Sequence, residues 1–180
     1  MKHLFLLRHA KSGWDDPAAR DFDRRLNPRG NRAAITMGRY LRESGVRFDQ
    51  VVASDAVRVT ETIAGIEQSY GRPLAPHWDR RVYMAAASTL LDLIQALPES
   101  AGTALIAGHN PGLEDLVLAL VPEDAEDAHR VAVYEKFPTA ALAEITFDVD
   151  AWANVARGGG QLARFVRPRD LDPELGPDAD

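Results

Sequence analysis

Two uninterrupted apolar runs of strand length, Leu4 to Leu7 and Thr103 to Ala107, and a third segment from Phe48 to Ala53 centred on Val51 and Val52, constrain this chain most. A strand apolar at every position must be covered on both faces, which is the signature of a parallel sheet between helices. The intervening segments supply the helices. From Pro28 to about Ser44, Ala33, Ala34, Met37, Tyr40 and Leu41 recur at helical spacing, with Pro28 at the start and Gly45 past the end. Ser54 stands where an N-cap would open a helix from Asp55 to about Tyr70. A third helix is expected from about Ser88 to Leu97, closed by Pro98, and a fourth from Pro111 to about Val121, with Asn110 as its N-cap. Ala140 to Val149 and Gln161 to Val166 read as two further strands, separated by a short helical piece near Trp152 and a turn at Gly158-Gly159-Gly160. Strands alternating with helices predict an α/β fold, a three-layer α/β/α sandwich with a largely parallel central sheet.

The 180 residues fit one domain, expected over residues 1–169, and the acidic stretch 170–180 reads as a flexible tail. No run approaches the ~18 to 20 apolar residues of a membrane span, and the apolar stretch after Met1 is too short for a secretory signal. A cytoplasmic protein and a monomer are expected. The absence of cysteine excludes disulfides, thiolate metal sites and cysteine nucleophiles. The net charge of −6 is unevenly spread: cations, nearly all arginine, outnumber carboxylates up to residue 81, and carboxylates outnumber cations beyond it. Arginine suits bidentate recognition of phosphate. Nucleic acid is not expected, because no basic run is interleaved with aromatics.

Ligands of an open α/β sheet bind beyond the carboxyl ends of its strands. Three strands here end in polar residues: Arg8-His9, Ser54 with Arg58 one turn on, and His109-Asn110. Two guanidiniums, two imidazoles and helix N-termini at one sheet edge make an anion site, most simply for phosphate. His3, His77 and His129 lack such company and read as structural or surface residues. A metal site drawing on Asp15, Asp16 or Glu114 is opposed by the neighbouring arginines, so neither metal nor cofactor is expected. Neither a P-loop nor a G-x-S-x-G elbow occurs. Phosphoryl chemistry with histidine as nucleophile remains, with cationic donors clamping the transferred group.

The run Leu6-Leu7-Arg8-His9-Ala10-Lys11-Ser12 resembles the RHG-type signature of the histidine phosphatase (phosphoglycerate mutase-like) superfamily, and most of all its phosphohistidine phosphatase branch of the SixA type. Asp23 to Gly30, Ser54 to Thr62 and Gly108 to Pro111 match in the same order. The resemblance implies that His9 is the nucleophile that becomes phosphorylated, that Arg8, Arg58 and His109 complete the phosphate pocket, and that Lys11, Ser12 and Asn110 contribute to substrate binding. Many members take a carboxylic general acid from the segment before the third helix, but Arg81 to Ser88 has no carboxylate, and Asp79 is the nearest. A site without an acid favours a leaving group that needs none, such as the imidazole of phosphohistidine or a phenol. The implied activity is a metal-independent phosphatase acting on phosphohistidine in a protein. A phosphatase of a small phosphomonoester, such as a sugar phosphate or nucleotide, and a silent phosphate-binding module are the alternatives. Attack requires neutral His9, so activity is expected to fall at low pH with its pKa, and a rate flat from about pH 5 to 8 would argue against this role.

Overall fold

The computed structural model describes residues 1–124 and 126–176. Its six strands form one sheet: β1 (Lys2–Arg8), β2 (Gln50–Ala53), β3 (His77–Trp78), β4 (Thr103–Gly108), β5 (Leu142–Phe147) and β6 (Gly160–Val166). Their spatial order is β3-β2-β4-β1-β5-β6. The first four run parallel, and β5 and β6 form an antiparallel edge. The helices are α1 (Pro28–Glu43), α2 (Val57–Tyr70), α3 (Ala87–Gln95), α4 (Gly112–Leu120), α5 (Ala128–Glu135) and the single turn α6 (Pro168–Leu171). No helix among the described residues is long and apolar enough to cross a membrane.

Side chains alternate across a strand, so each continuous apolar run feeds two cores. Leu4, Leu6, Ala104 and Ile106 join Leu93, Leu113, Val117 and Trp152 on the α3 and α4 side. Phe5, Leu7, Leu105 and Ala107 join Met37, Leu41, Ile63 and Ile66 on the α1 and α2 side. Full burial of each such aliphatic side chain contributes roughly 1.5 to 3 kcal/mol. This two-sided coverage explains why these strands lack polar alternation.

Helix α1 starts where the sequence places it, whereas α2 and α4 start later. The Asn27 side chain accepts from the Gly30 N–H at 2.8 Å and caps α1 as Pro28 enters its first turn. By contrast, α2 begins at Val57, two residues later than expected, and Ser54 is not its N-cap. Likewise α4 begins at Gly112, after a cis Asn110–Pro111 bond. The Asn110 Oδ1 accepts from the Glu114 N–H at 3.3 Å, and its Nδ2 donates to the Phe137 carbonyl at 3.0 Å. In both cases the polar side chain beyond the strand serves a tertiary contact in addition to, or in place of, a cap. Within the expected tail, the described part packs on α1: Leu175 is buried, and Arg32 pairs with Asp172 and Glu174. Residues 177–180 lie outside the described residues.

Candidate active site

Strand register builds the site. Arg8 pairs with Gly108 and Ala53 with Ala107, so the ends of β1, β2 and β4 are level. The His9 N–H then donates to the Gly108 carbonyl at 3.0 Å, and the Ser54 N–H donates to the Ala107 carbonyl at 3.0 Å. His9, Ser54 and His109 thereby become neighbours despite their separation in sequence. His9 and His109 line a cavity of about 370 Å³ whose wall also includes Arg8, Lys11, Ser12, Arg58 and Asn110, so that every residue selected from the sequence for catalysis or substrate binding is in it.

His9 is buried, and its Nδ1 lies 2.7 Å from the Ala10 carbonyl oxygen. A carbonyl only accepts, so Nδ1 carries the proton and Nε2 keeps its lone pair. Burial lowers the pKa to about 3 against the opposing Ala10 hydrogen bond, with help from His109, Arg58 and Arg8. The ring is therefore neutral throughout the ordinary pH range. This overturns the expectation that His9 titrates between about pH 5 and 8, since sequence alone could not show the extent of its desolvation.

His109 lies against His9, with ring centroids 5.3 Å apart. Its Nδ1 accepts from Arg58 Nη2 at 3.2 Å, leaving the Nε2 proton to be donated to Ser54 Oγ at 2.8 Å. Burial, then the Arg58 charge, lowers its pKa to about 3 as well. Arg8 is anchored by an Nη1–H donated to the Phe137 carbonyl at 2.9 Å. That same carbonyl takes the Asn110 amide, which ties the ends of β1 and β4 to the segment before β5.

Arg58 is 2% exposed and is fixed from the loop before α1. Its Nη1 donates to the Asp21 carbonyl at 2.7 Å and its Nη2 to Asp21 Oδ2 at 3.0 Å. Its Nε has no hydrogen-bond partner among the described residues. The loop itself is held by Lys11, whose carbonyl accepts from the Asn27 N–H at 3.0 Å, and by a bridge between Ser12 and Leu26.

Asp21 was missed by the sequence reading, which named Asp79 as the nearest carboxylate. Asp55 pairs with Arg80 at 2.9 Å, Asp79 pairs with Arg81 at 2.7 Å, and neither lines the cavity. Asp21 does. Tyr83 O–H donates to its Oδ2 at 2.5 Å, and Arg24 Nε donates to its Oδ1 at 3.2 Å. Burial pushes its pKa up, but the bonds from Tyr83 and Arg58 and the charges of Arg58 and Arg24 outweigh this and hold the carboxyl below its usual range. The only sequence signal was an acid in a loop preceding Arg24-Arg25, which does not reveal where the loop folds. Asp15, Asp16 and Glu114 do not line the cavity, and among the described residues no three His, Asp or Glu side chains are placed to hold a metal ion.

The family model of the histidine phosphatase superfamily (branch 1) matches residues 4–82. The uncharacterized protein Rv1276c of Mycobacterium tuberculosis is 35% identical over 166 residues, covering 91% of this chain and 100% of that protein. The structure of a candidate phosphohistidine phosphatase SixA from Nakamurella multipartitia superposes with a TM-score of 0.80 at 29% identity, covering 93% of this chain and 96% of that one. A similar candidate SixA from Agrobacterium tumefaciens gives a TM-score of 0.77 at 28% identity, covering 93% of this chain and 98% of that one.

Proposed function

This chain belongs to the histidine phosphatase superfamily, in its SixA-type branch, and from that premise we propose that it removes the phosphoryl group from phosphohistidine carried on a protein, through a phosphorylated His9. The observation that carries the reading is the His9 ring itself: buried, neutral, and held with its proton on Nδ1 so that Nε2 is the nucleophile.

In the first step the Nε2 lone pair attacks phosphorus in line, the bond to the leaving group breaks, and its electron pair departs with that group. Arg8 and Arg58 hold the equatorial oxygens, where charge must be stabilised in the transition state. The Arg58 Nε–H is one such donor, since the other end of the guanidinium is occupied by Asp21. His109, neutral, accepts from Arg58 at Nδ1 and donates from Nε2 to Ser54 Oγ, so it positions the Arg58 guanidinium without adding charge. As His9 becomes phosphorylated, its Nδ1–H remains on the Ala10 carbonyl, which favours the protonated ring needed when water attacks in the second step.

Phosphohistidine is favoured over alkyl phosphates because Asp21, the sole acidic side chain in the cavity wall among the described residues, has a lowered pKa and is ionised near neutral pH. An alkoxide requires a proton to leave, and a general acid typically contributes 10² to 10⁴-fold. An imidazole with a proton on its distal nitrogen leaves neutral. The test is kcat/KM on a phosphohistidine-bearing protein against alkyl phosphates such as sugar phosphates. Preference for the former by about 10²-fold or more is expected; equal values would support a small-ester phosphatase instead.

A further inference from the structure

One carboxylate stands in a cavity otherwise built for anions. Among the described residues Asp21 is the sole acidic side chain in its wall; every other residue there with a formal charge is lysine or arginine. Asp21 cannot be explained by the phosphate, which it repels. Nor does fixing Arg58 require its charge, since the Asp21 main-chain carbonyl already accepts from Nη1 at 2.7 Å.

The carboxylate is also held firmly. Tyr83, Arg58 and Arg24 bind it from three directions, and Arg24 is itself stacked 3.9 Å over the Trp14 ring. Two oxygens offer about four acceptor positions, of which these side chains use three. The Asp21 side chain remains 41% exposed. One acceptor position on a rigid, ionised carboxylate is therefore left for a ligand in the cavity.

We infer that Asp21 is a specificity-determining residue that accepts the distal N–H of the substrate imidazole. The inference rests on the proposed phosphohistidine activity and deepens it. When the P–N bond breaks, its electron pair returns to the ring nitrogen. With a proton on the other ring nitrogen, the product is neutral imidazole; without it, the ring would have to leave as an anion. A carboxylate at that N–H favours the protonated, cationic ring and therefore the good leaving group. The same charge disfavours phosphate esters of phenols or alcohols, which bring no N–H to this side of the phosphorus.

The experiment compares wild type with Asp21→Asn, which retains the side chain's size while removing its charge, on N-phosphorylhistidine and on an aryl phosphate. The expected result is a fall in kcat/KM on N-phosphorylhistidine at least about tenfold larger than any fall on the aryl phosphate. Inorganic phosphate should also inhibit the variant at lower concentration than wild type, because a repelling charge has gone. Equal losses on both substrates, in a wild type that hydrolyses N-phosphorylhistidine, would mean that Asp21 acts only through Arg58 and would overturn the inference alone. A wild type that hydrolyses the aryl phosphate but not N-phosphorylhistidine would overturn the proposed function and this inference with it.

Discussion

The imidazole Nδ1–H of His9 donates to the carbonyl of the next residue, Ala10, at 2.7 Å. The orientation of the proposed nucleophile is thus set by the backbone of the next residue at the end of β1, and burial takes its pKa to about 3. The ring resonances of His9 followed by NMR should show no titration between pH 5 and 8. A midpoint near the ordinary value of about 6.5 would show that water reaches the ring and that burial does not control its charge.

Neutral His9 and His109 also make stability depend on pH. Both have folded pKa values near 3 and an unfolded value of 6.5, so between these limits the unfolded chain binds more protons. Stability is therefore full above pH 6.5 and declines as pH falls, by at most about 1.4 kcal/mol per pH unit for each histidine. Asp21, Asp79 and Asp170 have lowered pKa values, so their contributions fade only in more acidic solution. Denaturant unfolding from pH 7 to 5 should show the decline, and it should be shallower in His9→Asn. Identical slopes would assign the pH dependence elsewhere.

Much of this site was legible because its parts sit at strand ends. Apolar runs fixed β1 and β4, the residues after them had to reach the carboxyl edge of the sheet, and Arg8, His9 and His109 follow from that alone. Arg58 was legible one turn into α2. Asp21 was not, because its place depends on a loop closed by tertiary contacts from Lys11 and Ser12. The Phe137 carbonyl joining Arg8 to Asn110 was equally invisible, since a backbone group carries no sequence signal. The short helix α5 also escaped: capped by Asp127, it buries only Val133, too little apolar surface to show as a helical pattern.

Arg58 tests the clamp. Lysine preserves the charge but lacks the planar fork that reaches both Asp21 and His109. Arg58→Lys should lower kcat on an aryl phosphate by about 10² to 10³-fold, the scale of losing one transition-state donor. Activity within a few-fold of wild type would show that charge alone suffices.

Gly30 links the fold to the site. A Cβ there would lie 2.0 Å from the Lys11 carbonyl oxygen, which accepts from the Asn27 N–H. Gly30→Ala must push α1 away from the loop and should destabilise by about 1 to 3 kcal/mol. Turnover should also fall at temperatures where the variant is fully folded, because Lys11 and Ser12 line the cavity. Unfolding curves and rates measured together would check this; wild-type stability would show that the loop yields freely.

The most direct test of the central claim is hydrolysis of an aryl phosphate in EDTA by wild type and by His9→Ala, because a phenol leaves without a general acid and Arg8 and Arg58 supply the cationic charge. Wild type should turn over at the same rate with and without EDTA, and the variant should lose at least about a thousandfold. Equal rates in the two proteins would contradict His9 as the nucleophile, and loss of wild-type activity in EDTA would contradict the metal-free mechanism.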